Sequence, residues 1–260
     1  MIDLRGRRAL ITGSTQGVGR EIALAIARAG GDVVLHGLEL NEAAKATEAA
    51  CREAGVEVAL LQADLAGPTA EAVDGLYRRA QQAMPDIDIL INNAGTYADV
   101  PFLEMTCDSF ERTMRLNVFS YFFLTQAFAK QWVKDEVAGR VLMIGSINGR
   151  LAEPTHAGYD TSKGAVEMMV KTLCVELAPM GIRVNGLAPG LFRTPLTTNA
   201  LDQPGVLDWM QQHTPNGEVP GAEVAGPAAA FLVSDAAAHI HGQMLLVDGG
   251  MSVWQQPDPS

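Results

Sequence analysis

The feature that most constrains this chain is its first structural unit, an apolar run that stops abruptly at a glycine-rich turn. Residues 8–12 (RALIT) lead directly into Gly13, Ser14, Thr15, Gln16, Gly17, Val18 and Gly19. A helical pattern follows, with Ile22, Ala23, Ile26 and Ala27 on one side, and it ends at Ala29-Gly30-Gly31. The order is strand, turn, helix. Glycines at 13, 17 and 19 let the main chain approach a ligand closely. The start of the helix adds free N–H groups and a dipole that favour an anion such as a pyrophosphate. The spacing is Gly-x-x-x-Gly-x-Gly, which differs from the general Gly-x-Gly-x-x-Gly fingerprint. Taken alone, such a turn is also compatible with a plain loop.

The alternation then repeats. Residues 32–36 read as a buried strand, 41–54 as a helix with Asn41 at its N-cap, and 56–61 as a third strand. An acidic amphipathic helix spans 69–83, and a fourth strand at 87–91 runs into Asn92-Asn93-Ala94-Gly95. One long helix is expected over 108–134, then a strand at 140–145 ending at Ser146. This alternation predicts an α/β fold, a three-layer doubly wound parallel sheet with helices on both faces. Ligands in such folds sit at the carboxyl ends of the strands. A length of 260 residues suits one domain over the whole chain. The stretch 191–220 carries four prolines and reads as a lid of short helices, with Leu207, Trp209 and Met210 closing over a ligand. A short tail follows residue 254.

Charge and cysteine content narrow the partners. The net charge of −11 argues against nucleic acid and against an anionic membrane surface, because no positive field attracts phosphates. Cys51, Cys107 and Cys174 are scattered and lack metal-ligand spacing, so reduced thiols and no metal are expected. The N-terminus lacks signal-peptide character and no run of about 18 apolar residues occurs, so a cytoplasmic location is expected.

The chemistry concentrates later in the chain. Tyr159 and Lys163 lie four residues apart on a segment that reads as helix, hence on one face. An ammonium beside a phenol favours the phenolate and lowers its pKa, so Tyr159 can exchange a proton with a hydroxyl. A lone pair of this kind is also common on helix surfaces. Ser146, at a strand end 13 residues earlier, can donate to a substrate oxygen. Asn117 is a polar amide among apolar neighbours and needs partners if buried. His36 reads as a strand-end residue, and Asp64 as a cap for the next turn or a partner for an adenine amino group.

The segments TGSTQGVG (12–19), NNAG (92–95) and YDTSK (159–163), with Asn117, Ser146 and Pro189-Gly190, stand in the order and spacing of the short-chain dehydrogenase/reductase family. The resemblance covers nearly the whole chain, up to Gly250. It implies a Rossmann-like sheet of about seven strands and a nicotinamide cofactor. It also implies that Tyr159 is the acid–base, that Lys163 lowers its pKa and holds the nicotinamide ribose, and that Ser146 polarises the substrate carbonyl. Asn117 is implied to hold a water in a proton relay to Lys163. Cofactor contacts are implied for the turn 13–19, Asp64, Leu65, Asn92, Ala94, Gly95, Pro189, Gly190, Phe192 and Thr194. Relatives are commonly homotetramers, so a tetramer or dimer through 108–134, 157–180 and the C-terminal strand is expected.

Departures from the family pattern bear on specificity. The strand at 32–36 is followed by Gly37 and Leu38, and the expected acid arrives late, at Glu39. No basic residue stands at Gln16 or Leu38 for the 2′-phosphate of NADP, so NAD is favoured over NADP. Glu218 replaces an arginine common in relatives. Val175 stands where carrier-protein reductases often have a basic residue. Asn148, Arg150, Glu153 and His156, with Leu151, Pro154 and Tyr97, frame a polar pocket with Asn148 against the substrate. The expected reaction is hydride transfer on a secondary alcohol or ketone of a polyol, sugar acid or hydroxy acid. The alternatives are a 3-oxoacyl thioester reductase and a non-catalytic dinucleotide sensor.

Overall fold

Each apolar run becomes a strand because Val, Ile and Leu are buried on both faces of a parallel sheet. The computed structural model describes residues 2–254, so the expected tail beyond 254 lies outside the described residues. Seven strands form one sheet: β1 (Arg8–Ile11), β2 (Asp32–Gly37), β3 (Val58–Gln62), β4 (Ile89–Asn92), β5 (Arg140–Ile144), β6 (Arg183–Pro189) and β7 (Met244–Val247). Their order is β3-β2-β1-β4-β5-β6-β7, and every pairing is parallel. The chain reverses its direction of winding between β1 and β4. A crevice opens there at the carboxyl ends of the strands.

Two hydrophobic layers sandwich the sheet. One packs α1 (Gly17–Arg28), with Ile22, Ala23 and Ile26, against Ala225, Ala229 and Val233 of α9 (Ala225–Val233). On the other face lie α3 (Thr69–Ala83), α5 (Ser120–Lys134) and α6 (Ala157–Leu177), burying Leu76, Phe128, Trp132, Val166 and Val170. Between β2 and β3 runs α2 (Glu42–Arg52), and the Asn41 side chain accepts from Ala44 N at its start, as its residue type predicts.

The expected single helix over 108–134 is instead two helices. A π-helical turn over Arg115–Phe119 separates α4 (Cys107–Met114) from α5, and Asn117 sits inside it. The asparagine makes side-chain bonds across to neighbouring segments, and the widened turn accommodates its position; such turns recur at functional sites. The segment 191–220 holds α7 (Thr198–Leu201) and α8 (Val206–Gln212).

The opposite end of the sheet is built for stability. Arg140 and Arg183 are buried there and donate to the carbonyls of Leu232, Val233 and Ser234 that close α9. Cations at a helix C-terminus satisfy its unpaired carbonyls.

Candidate functional site

A cavity of about 540 Å³ runs along the carboxyl ends of the strands. It begins at the glycine turn. Gly13 and Gly17 have φ of +62° and +57°, a region that favours glycine. A Cβ on Gly19 would lie 2.3 Å from the Gly13 carbonyl oxygen, so the turn closes only without a side chain. Gln16 makes no side-chain cap and the first turn of α1 holds no acid, so the helix start is left to an anion.

Within the NNAG segment, it is Asn93 that holds this turn. Asn93 Nδ2 donates to the carbonyls of Thr12 and Gly13, both at 2.9 Å. Thr12 Oγ1 in return accepts from the N–H groups of Asn93 and Ala94, at 2.9 and 3.0 Å. The NNAG segment therefore clamps β1 and the glycine turn to β4. His36 adds a second clamp: Gly13 N donates to its Nδ1 at 3.0 Å, and Nε2 lies 3.1 Å from Ala63 O. That geometry requires a neutral ring with its proton on Nε2. Burial pushes the His36 pKa down to about 4.

Of the residues expected at a cofactor, Gly13, Thr15, Gln16, Gly17, Val18, Gly19, Gly37, Leu38, Asp64, Leu65, Ala94, Gly95, Pro189, Gly190, Phe192 and Thr194 all line the cavity. Ser14 and Asn92 do not. The Ser14 hydroxyl donates to Ile11 O and accepts from His36 N, so it is spent on the sheet. Asn92 points into the layer under β4, where Nδ2 donates to Thr125 Oγ1. Asp64 Oδ1 accepts from Ala66 N at 2.9 Å, as a cap does. Glu39, the late acid after β2, and Pro195, Leu196 and Thr197 of the 191–220 segment also line the cavity, as do Arg112 and Leu116, for which sequence patterns carried no signal. From the 191–220 segment it is Phe192 and residues 194–197 that reach the cavity. Leu207, Trp209 and Met210 do not, and Trp209 instead stacks on His213 at 3.7 Å.

At the far end of the cavity stand Ser146, Tyr159 and Lys163. Lys163 is buried on α6, and Nζ donates to Ile144 O at 2.8 Å and lies 5.6 Å from the Tyr159 ring centre. Burial lowers its pKa to about 8. The expected lowering of Tyr159 is not what this geometry produces. Burial raises the phenol pKa, with Asp160, Glu153 and Tyr97 acting in the same direction and the Ser146 hydroxyl opposing them. The reason is that a buried phenolate loses its solvation, and the Ser146 hydrogen bond restores only part of it. Asn117 lies behind the pair. Its Oδ1 accepts from Thr96 N at 2.9 Å, and its Nδ2 donates to Thr96 O at 2.8 Å and to Ser162 Oγ at 3.0 Å. It links the NNAG loop to α6 and does not line the cavity.

Asn148 also stands off the cavity. Its backbone N donates to Ser146 Oγ at 3.1 Å, and Nδ2 donates to Asp160 Oδ1 at 2.9 Å. Arg150 is engaged with Glu167, away from the pocket. Tyr97 and His156 pack edge-on around Tyr159, with ring centres 6.0 and 6.2 Å from it.

The glycine cradle, the free helix start and the elongated cavity fit a nicotinamide dinucleotide. With a buried Tyr and Lys at the end away from the glycine turn, this is the site of a nicotinamide-dependent oxidoreductase acting on CH–OH groups. Comparison with known proteins gives the same answer. Residues 13–252 match the family model described as enoyl-(acyl carrier protein) reductase. Gluconate 5-dehydrogenase of Gluconobacter oxydans (strain 621H) is 34% identical over 97% of both chains. 3beta-hydroxysteroid dehydrogenase 1 of Eggerthella lenta is 32% identical over 97% of this chain and 96% of the relative. The crystal structure of a gluconate 5-dehydrogenase from Burkholderia cenocepacia J2315, in complex with NADP and tartrate, superposes with a TM-score of 0.90 at 35% identity and 98% coverage of each chain. The chain belongs to the short-chain dehydrogenase/reductase family. Among the described residues no helix is long and apolar enough to cross a membrane, and no cluster of His, Cys, Asp and Glu could hold a metal ion.

Proposed function

We propose that this protein oxidises a secondary alcohol, or reduces the matching ketone, on a polyol, sugar acid or hydroxy acid. The observation that carries this reading is the pairing of Ser146 and Tyr159 with a buried Lys163 at one end of a cavity whose other end is a free helix start. A bound nicotinamide supplies or accepts the hydride. In oxidation Tyr159, as phenolate, takes the proton of the substrate hydroxyl; in reduction its phenol returns a proton to the forming alkoxide. Ser146 donates to the same oxygen and stabilises the charge developing there. Lys163 supplies the nearby cation and would hold the ribose hydroxyls of a bound nicotinamide. Asn117 keeps Thr96 and Ser162 fixed on either side of this machinery, and residues 192–197 form the inner edge of a lid.

The polar groups beside Tyr159, namely Glu153, His156 and Tyr97, support a hydroxyl-rich substrate over a steroid. Both gluconate 5-dehydrogenases agree with that choice. The acyl-carrier wording of the family model supports a second reading, a 3-oxoacyl thioester reductase. Against it stand the net charge of −11 and an exposed Val175 where a carrier protein would need a cation. We favour NAD over NADP because Gly37, Leu38 and Glu39, and no cation, line the cavity beyond β2. Exposed Phe119, Phe122 and Phe123 near α5, with Met168 and Val175 on α6, support a homodimer or tetramer through these helices.

The test is Tyr159→Phe with a panel of polyols, sugar acids, hydroxy acids and acyl thioesters, followed by reduced-nicotinamide absorbance. Turnover should fall by about 10²- to 10⁴-fold with cofactor affinity kept. Near-normal turnover would sink the mechanism. In fluorescence titrations NADH should bind more tightly than NADPH, and the reverse order would overturn the NAD preference.

A further inference from the structure

In the loop between Ser146 and Tyr159, Asn148 and Glu153 are both tied to one carboxylate, that of Asp160 in the first turn of α6. Its Oδ1 accepts from Asn148 Nδ2 at 2.9 Å, and its Oδ2 accepts from Glu153 N at 3.0 Å. Asn148 Nδ2 also reaches Glu153 Oε2 at 3.3 Å. The NH₂ side of the Asn148 amide therefore faces two carboxylates and cannot flip without setting its carbonyl against them. The remaining side of that amide, Oδ1, faces Ser146 Oγ at 3.4 Å, while the Asn148 backbone N–H donates to the same Oγ at 3.1 Å. The serine oxygen is thus anchored. Its own proton faces the long Asn148 Oδ1 contact and the Tyr159 hydroxyl, where a substrate oxygen would also be met.

We propose that Asp160 is a positioning residue for this reaction: by fixing Asn148 and the loop at Glu153 it aims the Ser146 hydroxyl, and it sets a fixed negative charge beside Tyr159. The inference rests on the reading of Ser146 and Tyr159 given above. Tyr159 is faced by Asp160 and Lys163 from its own helix, by Glu153, His156 and Ser146 from the preceding loop and strand end, by Tyr97 from the loop after β4, and by Tyr121 from α5. Among these, both carboxylates push the phenol upward. Removing one favours the phenolate.

The test compares wild type, Asp160→Asn, Asn148→Ala and the double variant, using the polyol or sugar acid that wild type oxidises fastest. In Asp160→Asn, plateau kcat should fall about tenfold to a hundredfold, the scale of a small misplacement of a reacting group. The rising limb of its kcat–pH profile should move to lower pH. Cofactor affinity should stay near wild type. Asn148→Ala should show the kcat loss without the shift of the limb. The double variant should lose no more kcat than Asn148→Ala, because both changes cut one chain of contacts. If Asp160→Asn does not fold, Asn148→Ala alone decides whether the chain to Ser146 matters. Wild-type plateau and limb in Asp160→Asn, beside an inactive Tyr159→Phe, overturn the positioning role only. Activity retained in Tyr159→Phe overturns the reading beneath it.

Discussion

Acidification should unfasten the glycine turn through one histidine. His36 is buried at 3% exposure and accepts from Gly13 N through Nδ1. Protonation would place a proton on that atom, donor facing donor. The folded-state pKa is depressed from 6.5 to about 4, chiefly by burial. Between those values the unfolded chain binds more protons than the folded one, so stability falls as pH drops from 6.5 toward 4 and is unaffected by this group above 6.5. A gap of about 2.5 units at 1.36 kcal/mol each gives about 3 kcal/mol, a large share of a typical domain's stability. The assay is urea unfolding at several pH values in wild type and in His36→Gln, which keeps an acceptor and cannot titrate. The variant starts less stable. Its loss between pH 6.5 and 4 should be smaller than that of wild type by about 3 kcal/mol, because the carboxylates titrate alike in both proteins. Equal losses, within about 0.5 kcal/mol, refute the argument. An NMR titration of the His36 ring checks the same point in unmodified protein: the ring should remain neutral at pH 5.5.

Gly19→Ala should abolish nicotinamide binding in calorimetry, since its Cβ would fall 2.4 Å from Asn93 Nδ2 as well as on the Gly13 carbonyl. Asn93→Asp sets a carboxylate against the carbonyls of Thr12 and Gly13 in place of two donated bonds. It should cost about 2–4 kcal/mol in urea unfolding, and a loss under about 0.5 kcal/mol would show that the clamp is not needed. Leu38→Arg puts a cation on the half-exposed rim beyond β2, and should lower the Kd for NADPH by about tenfold with little change for NADH. No change for NADPH would show that the 2′-phosphate is not received there.

Much of the fold was legible because it depends on local pattern. Short apolar runs separated by amphipathic helices favour a parallel sheet covered on both faces, which exposed the first five strands, while the count of about seven came from the family resemblance. The glycine turn was legible because only glycine tolerates its backbone and its contact distances. Less was legible where a side chain's role depends on what another element brings to it. Asn93 and Asn92 are adjacent and identical in type, yet the alternation of a strand end turns one toward the glycine turn and the other under the sheet. The break at Asn117 was hidden because the apolar period continues smoothly through a π turn. Asn148 reads along the chain as a substrate contact, and only the fold brings Asp160 to its amide.

The amino-acid sequence alone pointed to the fold class through its strand–helix alternation, and its motifs pointed by resemblance to a nicotinamide cofactor and to Ser146, Tyr159 and Lys163 as the reacting groups. Tertiary structure decided the electrostatic state of the site. Spacing along a helix places an ammonium near a phenol, but burial by β5, α5 and the loops around Tyr97 and His156 sets what each is worth. That burial lowers Lys163 to about 8 and raises Tyr159. Desolvation depends on everything packed around a group, and no local pattern of residues encodes it.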